Sequence, residues 1–132
     1  ITHFVATVGT SGTFTGVGRF LRDTLPEVAR VEVQPDGPFH GLEGLKHMAS
    51  ALVPAIYEPD LPTRRVGAPT EPAFEAVRRL ARHAGLLVGP SAGAAVWAAI
   101  EVARELERGV VVTVLCDSGT RYLSDSHLWE NA

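Results

Sequence analysis

The chain has 132 residues, of which 45% are hydrophobic and 20% charged, a length that supports one hydrophobic core and is too short for two ordinary domains. Its formal net charge of −3 gives no basic face for nucleic acid, and no apolar run reaches the roughly 18–20 residues of a membrane span. The single cysteine, Cys116, excludes an internal disulfide and fits a reducing, cytoplasmic location.

The N-terminal part of the chain is predicted to form a strand, a helix and a second strand. His3–Val8 is an apolar run typical of a buried strand, and Phe14–Leu25 carries apolar residues at helical spacing. Val28–Gln34 then alternates apolar and polar residues before a proline, as a strand does. This order indicates a βαβ unit with parallel strands.

A loop of small residues joins the first strand to the first helix. Glycines at positions 9 and 12 let the main chain approach an anion closely, and the first turn of a helix offers unpaired N–H groups. Thr10, Ser11 and Thr13 add hydroxyl donors, so the loop is predicted to bind a phosphate. It matches neither G-x-x-x-x-G-K-[ST] nor G-x-G-x-x-G, which argues against ATP and NAD. The alternative to a phosphate site is that this loop is only the capped start of a helix packed on a sheet.

Residues 35–70 are the least regular part, rich in proline and glycine. They contain a short helical candidate at Leu42–Leu52 and a short strand candidate at Arg65–Gly67. His40 and His47 lack cysteine or carboxylate partners at ligand spacing, so no metal site is predicted.

Two further strand and helix pairs follow. A helix is predicted from Thr70 to Gly85, then a short buried strand at Leu86–Val88 and an alanine-rich helix that ends near Arg108. Val110–Leu115 is a continuous apolar run typical of a central parallel strand. The predicted fold is α/β, an open, mainly parallel twisted sheet with helices on both faces.

Three small polar turns follow three of the predicted strands, at residues 9–13, 89–93 and 116–120. Ligands of open α/β sheets bind at the carboxyl ends of the strands. The three turns therefore predict one ligand site with contacts at more than one end of the ligand.

These turns carry a family resemblance that covers nearly all of the chain. Gly9–Gly16 (GTSGTFTG) resembles a GTGGTxTG phosphate loop, Gly89–Val96 (GPSAGAAV) a G-x-S-[SA]-G-A-A-V turn, and Asp117–Ser124 (DSGTRYLS) a DSGxRYLS segment. Together they resemble the cysteine synthase family of pyridoxal-phosphate enzymes, which belongs with cystathionine β-synthase to fold type II. The resemblance implies that residues 1–132 are the C-terminal part of the cofactor-binding large domain.

The resemblance also implies roles for particular residues. Ser91 would hydrogen-bond the pyridine nitrogen of pyridoxal 5′-phosphate, with Asp117 as the second choice, and Gly44 would lie beside the substrate. A hydroxyl partner makes the ring a weaker electron sink than a carboxylate does, which favours β-elimination and β-replacement over transamination. The alternative for Ser91 is a helix N-cap. The cofactor phosphate would be held by Gly9, Thr10, Ser11, Gly12 and Thr13.

Two residues depart from the family pattern. Ser11 stands where a glycine is usual, which is tolerated at negative φ and costs about 1 kcal/mol or more at positive φ. Cys116 stands where proline is common, and a lone cysteine at a buried strand end is expected to act as a small hydrophobe.

The family's Schiff-base lysine and its substrate carboxylate loop lie in an N-terminal portion that has no counterpart here. Lys46 does not replace that lysine, so no catalytic residue is predicted in this chain, and the chain alone is expected to be inactive.

The resemblance implies that the complete enzyme is a transferase or lyase of cysteine biosynthesis. It would form L-cysteine by β-replacement from an O-activated serine, such as O-acetylserine, and sulfide. It would be a homodimer, and serine acetyltransferase would be a possible partner. The alternatives are a cystathionine β-synthase-like enzyme and a non-catalytic homologue that acts as a binding or regulatory module.

Overall fold

A computed structural model describes residues 1–129 and shows a four-stranded sheet with helices on both faces. All the strands are parallel, and their order across the sheet is β3-β2-β1-β4. In chain order the elements are β1 (His3–Thr7), α1 (Gly12–Thr24), β2 (Ala29–Pro35), β3 (Arg64–Ala68), α2 (Thr70–Arg79), α3 (Pro90–Arg104), β4 (Val111–Thr113) and α4 (Ser126–Trp129). A π-helical segment, Leu80–Ala84, continues α2, and a 3-10 turn, Gly119–Tyr122, follows β4.

The alternating side chains of the strands build a core on each face of the sheet. Val5, Val31 and Val33 pack with α2 and α3 on one face, whereas Phe4 and Ala6 pack with α1 on the other. The predicted fold class, an α/β protein with a parallel sheet, is confirmed.

The polar side of β2 is also buried, which the alternating pattern did not predict. Glu32 is 0% exposed, and its Oε1 accepts hydrogen bonds from Tyr57 (3.0 Å), Arg65 Nε (3.1 Å) and the amide of Gln34. Gln34 Oε1 in turn accepts from the Met48 N–H at 2.9 Å. This network holds the long connection between β2 and β3 against the sheet.

The predicted helix at Leu42–Leu52 is wrong, because this segment forms turns. Gly44 adopts φ +82°, which interrupts a right-handed helix. The N–H of Lys46 donates to Val8 (3.0 Å) and that of Met48 to Gln34, so these donors are committed to the sheet. The strand predicted at Arg65–Gly67 is confirmed as the middle of β3.

The prediction that Leu86–Val88 is a strand of the sheet is wrong. Val88 makes a single antiparallel bridge with Ser118, and the Leu87 carbonyl accepts from the Gly119 N–H at 3.0 Å. The segment pairs with the turn after β4 and so does not join the ladder. Leu86 and Leu87 are about two-fifths exposed instead of buried.

The C-terminal elements are shorter than predicted. Strand β4 covers only part of the Val110–Leu115 run and pairs with β1, and among residues 1–129 no strand lies on its other side, so it is an edge strand. Helix α3 ends at Arg104 instead of Arg108. The predicted end at Gly85 is confirmed, since Gly85 closes the π-helical segment at φ +66°.

No helix within residues 1–129 is both long and apolar enough to cross a membrane. In the same residues, no three side chains of His, Cys, Asp or Glu are grouped so that they could hold a metal ion. The two histidines considered above make local contacts: His40 Nδ1 accepts from the Leu42 N–H (3.2 Å), and His47 Nδ1 lies 2.7 Å from Ser50 Oγ.

Candidate functional site

A cavity of about 200 Å³ lies at the carboxyl end of β1. It brings together the three polar turns and one wall from the irregular connection. All six residues predicted to bind the cofactor line it, and so does Gly44; their roles remain predictions. The lining residues are Thr7, Gly9, Thr10, Ser11, Gly12, Thr13, Gly44, Leu45, Ser91 and Cys116.

The loop after β1 ends in the first turn of α1, which begins at Gly12. The Thr15 N–H donates to the Ser11 carbonyl at 2.9 Å and makes the first bond of the helical ladder. The preceding N–H groups of the helix have no acceptor within it, and they carry the positive end of its dipole. A Cβ at Gly12 would meet no protein atom within 4 Å, so the main chain there is open to a ligand.

Gly9 is in close backbone contact with Gly44. A Cβ at position 9 would overlap the Gly44 carbonyl oxygen and lie 3.3 Å from the carbonyl carbon. The Lys46 N–H bond to the Val8 carbonyl, 3.0 Å long, holds the two segments together. The predicted position of Gly44 beside the site thus depends on a contact between two glycines that are far apart in sequence.

Ser11 adopts the left-handed conformation, with φ +70°. The sequence left both a negative and a positive φ open at this position, and the positive φ that the structure shows is the strained case. The side chain is 3% exposed, and its Oγ lies 3.0 Å from Thr15 Oγ1, a hydrogen bond between two buried hydroxyls. That bond offsets part of the conformational cost.

We expect Ser11→Gly to be more stable to unfolding than Ser11→Ala by about 1 kcal/mol. Both variants lose the hydroxyl that bonds Thr15, and they differ only in whether a Cβ remains at φ +70°. Urea denaturation of the two proteins measures the difference. Equal midpoints and slopes would contradict a strained backbone at this position.

Ser91 lies in the first turn of α3, is 7% exposed and does not cap the helix. The N-cap is Gly89, and no side-chain capping bond is present. Ser91 Oγ instead donates to Asp117 Oδ1 at 3.0 Å and lies 3.2 Å from Cys116 Sγ. The alternative interpretation of Ser91 as an N-cap is therefore wrong.

Asp117 accepts the hydrogen bond of Ser91, and Tyr122 in turn interacts with Asp117. Burial, together with the hydrogen bond and negative charge of Asp117, raises the pKa of Tyr122 to about 12. The Gly89 N–H donates to the Asp117 carbonyl at 3.3 Å, which holds the turn before α3 to the turn after β4.

Three residues that line the cavity were given no binding role in the sequence analysis: Thr7, Leu45 and Cys116. Cys116 is exposed, so the expectation of a buried hydrophobe at that position is wrong. Its Sγ lies 3.8 Å from Thr7 Oγ1. Their place in the chain could have indicated that Thr7 and Cys116 belong to the site, because Cys116 is the first residue of the third polar turn and Thr7 lies at the end of the first strand.

Lys46 does not line the cavity, and its Nζ donates to the Leu52 carbonyl at 3.3 Å. A larger cavity of about 450 Å³ lies between α2 and α3 and contains none of the predicted site residues. We assign the candidate site to the smaller cavity because, of the two cavities, it is the one in which main-chain donors and hydroxyls converge.

Residues 1–117 match the family model described as "Pyridoxal-phosphate dependent enzyme". The chain belongs to this family. Cysteine synthase of Aquifex aeolicus is 47% identical over 128 residues, and cysteine synthase B of Pseudomonas aeruginosa is 41% identical over 125 residues. Each alignment covers 94% of this chain. The resemblance to cysteine synthases, and the family's cofactor, are thereby confirmed.

Two solved enzyme structures have the same fold over this chain. O-ureido-L-serine synthase superposes on 100% of the chain with a TM-score of 0.90 and 34% identity. O-acetyl serine sulfhydrylase isoform 3 from Entamoeba histolytica superposes on 98% with a TM-score of 0.88 and 30% identity. The chain spans only 39% and 41% of the two cysteine synthases and 44% and 41% of these two structures.

Proposed function

We propose that this chain is the C-terminal part of the cofactor-binding large domain of a cysteine synthase. The complete protein would form L-cysteine from an O-activated serine, such as O-acetylserine, and sulfide. The observation that carries the proposal is the single cavity lined by Gly9–Thr13, Gly44 and Ser91 in a chain that is 47% identical to a cysteine synthase.

The loop at residues 9–13 fits a phosphate group by its donors. None of the ten residues that line the cavity is acidic, and the open main chain at Gly12 leaves space for an anion. The free N–H groups at the start of α1 and the hydroxyls of Thr10 and Thr13 would hold the phosphate of pyridoxal 5′-phosphate. The helix dipole adds to the attraction.

Ser91 would meet the pyridine nitrogen at the opposite end of the cofactor. When bound, the cofactor withdraws electrons from the α-carbon of an amino-acid substrate. The wall at Gly44 would lie beside that substrate, and the base that moves its proton would come from the part of the protein outside this chain. The chain itself therefore binds and orients the cofactor.

Gly12→Ala is expected to weaken binding of pyridoxal 5′-phosphate by the complete protein about tenfold or more, since hydrogen bonds to charged groups contribute about 1.5–3 kcal/mol. The added methyl group would occupy the space where the main chain meets the phosphate, and no protein atom lies there to be displaced. Titration with the cofactor, followed by its visible absorbance, measures the affinity; cysteine formation from O-acetylserine and sulfide measures activity.

Gly16→Ala is the matched control. It lies in the same helix and is exposed, and its Cβ would also meet no atom within 4 Å, so it should raise the stability by about 0.5–1 kcal/mol without a change in affinity. A wild-type protein that binds no cofactor or makes no cysteine would overturn the proposed function. Equal affinities of the two alanine variants would overturn the phosphate role of the loop.

A second candidate is formation of O-ureido-L-serine, favoured by the superposition on the synthase of that compound. Product analysis with sulfide and with alternative nucleophiles distinguishes the two.

We also propose that the complete protein is a cytoplasmic homodimer and that serine acetyltransferase is a partner. A non-catalytic binding module would bind such a partner but show no turnover.

A further inference from the structure

We propose that Gln34 is a positioning residue: its side-chain amide holds the segment after Gly44 and so fixes the cavity wall that would lie beside the substrate. This inference rests on the proposed function, because it concerns the substrate side of the same cavity. Gln34 itself does not line the cavity. It lies on β2 and acts through the long connection between β2 and β3.

The segment that follows Gly44 is bonded to the sheet at two points. The Lys46 N–H donates to the Val8 carbonyl at 3.0 Å, and the Met48 N–H donates to Gln34 Oε1 at 2.9 Å. One bond alone would let the segment turn about that point, whereas two bonds two residues apart also fix its direction. Gly44 needs this support because it has no side chain to pack, and its φ of +82° is one of many conformations open to a glycine.

The Gln34 amide is oriented by its other neighbours. Its Nε2 donates to Glu32 Oε1, and an ionised carboxylate can only accept. A reversed amide would place Oε1 against the carboxylate and Nε2 against the Met48 N–H, so only the observed orientation satisfies both groups. Glu32 in turn accepts from Tyr57 Oη at 3.0 Å and from Arg65 Nε at 3.1 Å. The acceptor for Met48 is therefore held in place before any substrate binds.

The support reaches the cavity over four residues. Gly44 and Leu45 line the cavity, and the buried Met48, four positions after Gly44, makes the bond to Gln34. Loss of that bond leaves a buried N–H without its acceptor, so the segment can satisfy the N–H only by moving. Such a movement would displace the wall at Gly44. The effect should therefore fall on the affinity for the amino-acid substrate, since the base that moves its proton lies outside this chain.

The test is Gln34→Met in the complete protein, because methionine has nearly the same length and no amide. We expect the KM for O-acetylserine to rise about tenfold, which is what one hydrogen bond contributes to an equilibrium, with kcat within about twofold of wild type. Hydrogen exchange followed by mass spectrometry should show faster exchange at residues 45–48. Gln34→Asn, whose shorter amide cannot reach both Glu32 and Met48, should show the same two changes, and it decides the question if Gln34→Met does not fold.

Thr63→Val is the matched control. Thr63 Oγ1 accepts from the Arg30 N–H at 2.9 Å and donates to the Arg30 carbonyl at 3.2 Å, so valine removes two hydrogen bonds from the other end of the same connection. Thr63 does not line the cavity. The variant should be less stable in urea, but its KM and its exchange at residues 45–48 should match the wild type.

A folded Gln34 variant with the wild-type KM would overturn the positioning role even if its exchange were faster, because the residue would then only stabilise the fold. A rise in KM of the same size in Thr63→Val would also overturn it, since any weakening of the connection would have the same effect. Both outcomes leave cysteine formation by the wild type, and with it the proposed function, intact. A wild-type protein that makes no cysteine would overturn the proposed function itself.

Discussion

Alanine at position 9 is expected to lower the free energy of unfolding by about 3 kcal/mol and to remove most of the cofactor binding. The added Cβ would overlap the carbonyl oxygen of Gly44. Both groups belong to the backbone, so no side-chain rotation relieves the overlap and the segment around Gly44 must move. That movement would separate two walls of the cavity and stretch the bond between Lys46 and Val8.

Urea denaturation and cofactor titration of Gly9→Ala, beside Gly12→Ala and Gly16→Ala, separate the possible causes. The three variants make the same chemical change, but only position 9 faces a backbone atom. We expect loss of stability at position 9, loss of affinity without loss of stability at position 12, and neither at position 16. A Gly9→Ala protein with wild-type stability and affinity would contradict the close contact with Gly44.

Arg65→Met is expected to lower the free energy of unfolding by about 3 kcal/mol, because it removes the cationic partner of a buried carboxylate. Glu32 is 0% exposed and lies 3.1 Å from Arg65 Nε, and its second oxygen, Oε2, has no hydrogen-bond partner in the described structure. Without Arg65 the charge would keep only the neutral donors Gln34 and Tyr57.

Arg64→Met is the control for this prediction. Arg64 lies next to Arg65 on β3 and pairs with Glu105 at 2.6 Å, but both of those side chains are about half exposed, so its loss should cost less than about 1 kcal/mol. A double-mutant cycle with Glu32→Gln completes the test. The double variant should be more stable than the sum of the single changes predicts, since it removes the buried charge together with its partner. Equal costs at positions 64 and 65 would show that burial of Glu32 does not matter.

The site could be predicted from the sequence where the chemistry is local. A glycine and hydroxyl loop between a strand and a helix predicts an anion site because helix starts always present free N–H groups. Gly9–Thr13 were found in this way, whereas the role of Ser91 was implied by the family resemblance, and the structure places these residues in one cavity. Predictions failed where a short apolar run such as Leu86–Val88 is compatible with either a sheet strand or an extended segment.

The sequence by itself determined the βαβ start, the mainly parallel character of the sheet and the three polar turns, because these depend on the spacing of residues that lie close together in the chain. Only the tertiary structure decided that Gly9 contacts Gly44, that Glu32 is buried beneath a long connection, and that the Ser91 proton is directed to Asp117. Each of these features joins groups that lie 25 to 35 positions apart or depends on what covers a strand face. Their partners come together only when the chain packs, so no local pattern of residues encodes them.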